Sequence, residues 1–192
     1  MPRIVAGRLG GRTIPGPPGK GTRPTSDKVR EALFNRLEGW DVLAGARALD
    51  LYAGTGALAF EALSRGAEHA LLVETHGPTV AQLRRTASDL GLSDCAEIRA
   101  GKAATAAGRL AAEREDGSET PAATLVFLDP PYDVPTDALE QMLITLRPAL
   151  SDDALVVVER SSRSRALQWP QGWADDGTKA YGETVLQFGG PA

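Results

Sequence analysis

Residues 46–58, Ala-Arg-Ala-Leu-Asp-Leu-Tyr-Ala-Gly-Thr-Gly-Ala-Leu, constrain the fold more than any other stretch of the chain. Residues 46–51 are apolar apart from Arg47 and Asp50 and read as a short buried strand. Gly54 and Gly56 make a tight turn, and from Ala57 the helical pattern Leu58, Ala62, Leu63 runs to Arg65. Strand, Gly-X-Gly turn and helix start form the first unit of a nucleotide-binding α/β fold. Glycines suit the turn because a Cβ would block both the turn and a ligand's approach. Asp50 narrows the choice of ligand. A pyrophosphate over the helix N-terminus needs no acid beneath it, whereas a carboxylate inside this strand suits a ligand carrying positive charge.

From residue 46 onward the strands 46–51, 70–74, 96–99, 124–129 and 154–159 alternate with helices over 57–65, 78–90, 102–112 and 136–150. Residues 113–122 are polar and loop-like, and 179–180 with 184–188 read as a hairpin around Gly182. The expected architecture is α/β, a mostly parallel Rossmann-like sheet with helices on both faces and an antiparallel edge hairpin at the C-terminal end. Ahead of it, residues 3–6 and 12–14 flank a glycine turn as a small hairpin, and residues 14–24 form a Pro/Gly-rich connector. Ser26 is positioned to cap a helix reaching Glu38, with Val29, Leu33, Leu37 and Trp40 on its inner face. Lys28, Arg30 and Arg36 fall off that face and are expected to be free for a partner. The chain divides accordingly into a basic extension, 1–40, and a larger domain, 41–192.

Charge sharpens that division. The net charge is −4, but residues 1–40 carry eight Lys/Arg against three Asp/Glu, and the remainder carries 13 bases against 22 acids. A basic arm on an acidic body suits a local polyanion contact. The single cysteine, Cys95, excludes an internal disulfide and a cysteine-rich zinc site. No apolar run approaches the ~18 residues of a membrane span, and residues 1–20 lack a signal core. A cytoplasmic monomer without membrane contact is expected.

Ligands in such sheets sit beyond the carboxyl ends of the strands, where this chain places Asp50, Glu74 and Asp129. Glu74 lies 20 residues after Gly54, the spacing at which an acid accepts hydrogen bonds from ribose hydroxyls. Asp129-Pro130-Pro131-Tyr132 follows the fourth strand of the alternation. Its prolines fix the backbone, so that the Asp129 carboxylate and the Pro130 carbonyl can face one pocket as paired acceptors for an exocyclic NH₂. Tyr132 offers that base a stacking face.

These residues carry a resemblance. Residues 49–58 resemble motif I of class I S-adenosylmethionine-dependent methyltransferases, and Asp-Pro-Pro-Tyr resembles motif IV of the amino methyltransferases. Arg3-Ile-Val-Ala-Gly, Gly10-Gly-Arg, residues 22–35 (Thr-Arg-Pro-Thr-Ser-Asp-Lys-Val-Arg-Glu-Ala-Leu-Phe-Asn) and residues 61–67 (Glu-Ala-Leu-Ser-Arg-Gly-Ala) together resemble the RsmD family. The resemblance implies methyl transfer to N2 of a guanine in small-subunit (16S) ribosomal RNA, or in an assembly intermediate of the subunit, with no metal. It implies that Asp50, Tyr52, Ala53, Gly54 and Gly56 surround the methionine half of the cofactor. Glu74 and Thr75 fall at the ribose, Lys102 and Ala103 at the adenine, and Asp129 between cofactor and base. Asp129, Pro130 and Tyr132 are then the catalytic residues, and Arg3, Arg8, Arg12, Arg23 and Arg30 the RNA contacts. Residues 160–165 are a second basic run where RNA could bind.

Competing readings are an NAD-binding oxidoreductase, which shares the glycines and Glu74 but leaves Asp50 and Asp129 without a task, and a non-catalytic RNA-binding assembly factor. Within the methyltransferases, an adenine-N6 enzyme shares motif IV. His69 and His76 are expected to be isolated, Cys95 a small core residue, and Trp169 and Trp173 a cover for the terminal hairpin.

Overall fold

Apolar runs that alternate between two faces build the central sheet. In a computed structural model describing residues 2–16, 27–117 and 121–192, its strands are β1 (Arg47–Asp50), β2 (His69–Glu74), β3 (Ala96–Ala100), β4 (Ala123–Leu128), β5 (Leu150–Ser161), β6 (Trp173–Tyr181) and β7 (Thr184–Pro191). They lie in the order β3-β2-β1-β4-β5-β7-β6. Strands β1 to β5 are mutually parallel, and β7 runs antiparallel to both of its neighbours. The helices are α1 (Asp27–Gly39), α2 (Ala57–Ser64), α3 (Gly77–Asp89), α4 (Ala103–Glu115) and α5 (Thr136–Leu146). Among the described residues no helix is long and apolar enough to cross a membrane.

Side chains two residues apart point to the same side of a strand. Ala48, Leu72, Leu125, Phe127, Leu155 and Val157 meet α1, α2 and α3 on one face. Leu49, Leu71, Val73, Val126, Leu128, Val156 and Val158 meet α4 and α5 on the other. Leucine and valine fill both sides, as a parallel sheet covered on both faces requires.

The N-terminal residues belong to the first of these cores. Ile4 and Ile14 are fully buried with Phe34, Phe60 and Phe127, so the segment contributes to packing instead of standing off as an arm. Arg3 and Thr13 pair as an antiparallel bridge, with a 3-10 turn at Gly7–Leu9 between them. Buried Glu61 on α2 accepts the Val5 and Ala6 N–H groups at 2.6 and 3.0 Å. Ser64 accepts the Leu9 N–H at 2.9 Å and donates to the Ala6 carbonyl at 2.6 Å. Gly7 has φ +78°, and a Cβ there would lie 2.1 Å from the Ser64 carbonyl oxygen. No side chain fits.

Arg30 is not free for a partner. It is 0% exposed, donates to the Arg3 carbonyl and to Asp27 at 2.9 Å, and lies 3.8 Å from Glu61. Arg30 lies three, four and seven residues before Leu33, Phe34 and Leu37 and so falls on the buried stripe of α1, where the Arg3 carbonyl and the Asp27 and Glu61 carboxylates hold its charge. Arg36 lies over the rings of Trp40 and Phe188 at 4.5 and 5.1 Å. Arg23, Ser26 and nearly all of the connector lie outside the described residues. Helix α5 ends at Leu146, short of the expected residue 150, and a 3-10 turn follows. Pro148 explains this, since it has no N–H and its ring crowds the preceding turn. Helix α4 runs to Glu115, three residues past the expected end.

Glu61 lies between two buried guanidinium groups, Arg30 at 3.8 Å and Arg65 at 2.7 Å, which pair also with Asp27 and Glu38. Removing one member of a buried ionic group costs about 3–5 kcal/mol. Glu61→Gln is therefore expected to lower stability by roughly that amount, measured by urea unfolding, and to release the N-terminal segment to proteolysis.

Candidate active site

Strand order reverses between β1 and β4, and in α/β sheets the crevice beyond the carboxyl ends at such a point takes the ligand. Asp50 ends β1, Glu74 ends β2 and Asp129 directly follows β4. The turn over β1 is fixed by backbone bonds, from Ala53 N–H to the Val73 carbonyl at 3.0 Å and from Gly56 N–H to the Ala53 carbonyl at 2.6 Å. Gly54 and Gly56 both have positive φ, +50° and +78°. At Gly56 a Cβ would also lie 2.5 Å from the Phe60 ring, whereas at Gly54 it would meet almost nothing. Gly54 thus answers to backbone conformation alone and leaves the space above the turn open.

Glu74 is held by its neighbours. Its Oε2 accepts the Gly54 N–H at 3.0 Å, and its Oε1 accepts the Thr75 hydroxyl at 3.2 Å and the His76 N–H at 2.8 Å. A carboxylate has about four lone-pair positions, so acceptor capacity remains on Oε2. Lys102 is exposed just before α4, and Ala103 is buried as the first residue of that helix.

Asp50 is 1% exposed. It accepts hydrogen bonds from the backbone of Tyr52 and of Ala59 in the first turn of α2, yet its Oδ1 has no partner. Burial pushes its pKa up to about 7, the Asp129 carboxylate adds to the rise, and Glu74 adds a smaller part. Three carboxylates therefore share one crevice. Such a group repels an anion and favours a cation with hydrogen-bond donors.

Past β4, Pro130 is buried while Tyr132 is 73% exposed. The Val134 N–H donates to the Pro131 carbonyl at 3.1 Å and closes a turn with Tyr132 at its tip. The structure brings Asp50, Tyr52, Ala53, Gly54, Gly56, Glu74, Thr75 and Asp129 to one end of adjoining strands. Arg3, Arg8 and Arg12 are exposed elsewhere, against α1, α2 and α3: Arg3 near Asp27 at 3.8 Å, and Arg12 donating to the Asp89 carbonyl at 2.9 Å. Arg160, in the second basic run, is buried below the Asp129 loop. The two-residue alternation Val156, Val158, Arg160 is the signal for its inward direction. A cavity of about 130 Å³ opens at the opposite end of the sheet, around Arg47, His69, Arg99 and Leu110. Its Arg47 and Arg99 pair with Glu68, Glu97 and Glu113, and none of the three converging acids lines it.

A parallel sheet of this strand order, with an antiparallel strand inserted next to β5 and an acid at the end of β1, defines a class I methyltransferase fold. An RNA methyltransferase of Salinibacter ruber solved with S-adenosyl-L-homocysteine shares it (TM-score 0.60, 22% identity, 88% of this chain and 94% of that one). The chain belongs to the family described as "Conserved hypothetical protein 95", which it matches over residues 2–190. It is 35% identical over 189 residues to the Ribosomal RNA small subunit methyltransferase D of Escherichia coli K12, covering 97% of this chain and 88% of that protein. A solved hypothetical protein of Thermus thermophilus superposes with a TM-score of 0.79 at 28% identity, over 98% of both chains.

The Asp50 shift has a signed consequence. Its folded pKa, about 7, exceeds the ordinary 3.8, so the folded state keeps a proton that the unfolded chain gives up. Asp50 therefore costs stability progressively as pH rises from about 4 to about 7. Unfolding midpoints of the ligand-free protein between pH 5 and 8 should show this loss, and Asp50→Asn should lack it and be the more stable at pH 8.

Proposed function

We propose that the chain transfers a methyl group from S-adenosylmethionine to the exocyclic N2 amine of a guanine in small-subunit ribosomal RNA. The observation that carries this reading is the buried, unpartnered Asp50 oxygen beside Asp129 at the switch point. It suits an ammonium next to a sulfonium and disfavours the pyrophosphate of NAD. Tyr52, Ala53, Gly54 and Gly56 would flank the methionine half, Glu74 and Thr75 would take the ribose, and Lys102 with Ala103 would border the adenine. The name of the Escherichia coli relative supports the choice of substrate.

When bound, S-adenosylmethionine supplies an electrophilic methyl on a good neutral leaving group. The protein's part is to present the nucleophile. A guanine amine is weakly nucleophilic because its lone pair is delocalised into the ring. Accepting hydrogen bonds from its two N–H groups at the Asp129 carboxylate and the Pro130 carbonyl favours a pyramidal nitrogen, whose lone pair is then free to attack. Holding that geometry removes entropy from the barrier. The Asp129 charge stabilises the positive charge that grows on nitrogen, and the surplus proton departs from that nitrogen after transfer. Tyr132, standing out in solvent, is placed to stack on a base that has left its helix, which favours a loop nucleotide.

Incubation of small-subunit rRNA, free or assembled, with labelled cofactor and the enzyme should yield N2-methylguanosine in nucleoside mass spectrometry. Label on adenine N6 would overturn the choice of base. Asp129→Ala should lower kcat by about 10²–10³ with the fold intact, and Asp129→Asn should keep part of the activity because its amide oxygen still accepts.

Arg3, Arg8 and Arg12 are the proposed phosphate contacts, and Arg30 is withdrawn from that set by its burial. Each phosphate contact adds roughly one unit to the salt slope of RNA binding. Replacing the three by Gln should weaken RNA binding and flatten its salt dependence while cofactor affinity holds. An unchanged slope would move the RNA surface elsewhere.

A further inference from the structure

Arg160 lies at the far end of β5, two and four residues beyond Val158 and Val156, which face the α4–α5 side of the sheet. It is 6% exposed. One guanidinium nitrogen, Nη2, donates to the Val134 carbonyl at 2.9 Å and reaches Thr136 Oγ1 at 3.4 Å. Val134 is the residue whose N–H closes the turn back onto Pro131, and Thr136 opens α5. The same cation sits near Tyr52 in the turn after β1 and partly offsets the rise that burial imposes on its hydroxyl pKa. Arg160 thus touches the loop after β4 and the start of helix α5.

Stability does not account for a guanidinium at this place. Its Nε is buried without a partner, and burying a cation with an unsatisfied donor is costly where an apolar residue of similar size would do. Its geometry serves the loop instead. Pro130 and Pro131 stiffen the side of the turn nearest β4, and Arg160 fixes the other side, so Tyr132 is held out between two anchored points.

We propose that Arg160 is a positioning residue for the transfer, locking the loop of Asp129, Pro130 and Tyr132 against the start of α5. It touches neither substrate nor cofactor; it acts through Val134 and Thr136. The inference rests on the methyltransferase reading above, and its loop-anchoring half is measurable without turnover.

The test uses the full chain with Arg160→Met, which keeps the bulk and removes the donors, and Arg160→Lys, which keeps one donor and the charge. Relative to wild type, Arg160→Met should bind S-adenosylhomocysteine within about threefold and show an RNA KM within about threefold, while kcat falls about 30-fold or more, as misplacement of reacting groups implies. Hydrogen exchange at the Val134 amide should speed up about tenfold or more. Arg160→Lys should lie between the two in kcat. A kcat within threefold of wild type in the Met variant, or a fall matched by an equal loss of cofactor affinity, would overturn the proposal. If the Met chain does not fold, the Lys variant decides: kcat lowered threefold or more at unchanged affinities supports positioning, and wild-type kcat refutes it. A wild-type protein inactive on small-subunit rRNA would sink the functional reading, and Val134 exchange would still decide whether Arg160 anchors the loop.

Discussion

A helix with no face in solvent has to satisfy its polar groups inside the protein, and α2 is such a helix. Seven of its eight residues are buried, and two of them, Glu61 and Ser64, are polar. Ser64 finds its partners in the N-terminal segment, and Glu61 in that segment and in Arg30 and Arg65. The helix begins at the glycine turn over β1 and ends where residues 5–9 dock. One short element therefore fixes the crevice at one end and the N-terminal segment at the other. Loss of the Glu61 charge would leave Arg30 to Asp27 and Arg65 to Glu38, acids about half exposed to solvent, and so remove the one buried counter-charge the two arginines share.

Electrostatically the crevice is the reverse of a phosphate site. Helix α2 directs first-turn amides toward it, which by themselves favour an anion, but the Asp50 carboxylate already occupies that direction by accepting the Ala59 N–H. What the crevice then lacks is a positive charge. On the proposed reading, one buried acid turns the glycine turn that serves dinucleotides elsewhere toward a cationic ligand.

Much of this is legible in the sequence because it depends on local pattern. Strands β1, β2 and β4 follow from apolar runs of the right length, and Gly54, Gly56, Asp50, Glu74 and Asp129 follow from their spacing. Arg30 is legible in position and not in partner. Its spacing from Leu33, Phe34 and Leu37 puts it on the buried stripe of α1, but a guanidinium there reads as solvent-facing because nothing local to residues 27–39 supplies the Arg3 carbonyl and the Glu61 carboxylate that hold it. Phe34 belongs to the same stripe and packs on Phe127 of the sheet. The end of α5 is readable from Pro148, but apolar residues continue to Leu150 and extend the apparent helix. Arg160 looks like part of a basic surface run, since neighbouring Arg163 and Arg165 are exposed; strand alternation, which separates it from them, extends further along β5 than the apolar residues do.

Strand β6, nine residues long, is the outermost strand, and among the described residues no further strand pairs with its outer side. A free margin of that length is a template on which another chain can add a strand. Here the exposed charges of Asp175, Asp176 and Lys179 line it, and the ladder shifts register between Asp175 and Gly177. An incoming strand would have to bridge a bulge and bring its own backbone alongside fixed charge. The irregularity that looks like a flaw in the hairpin thus works against edge-to-edge pairing.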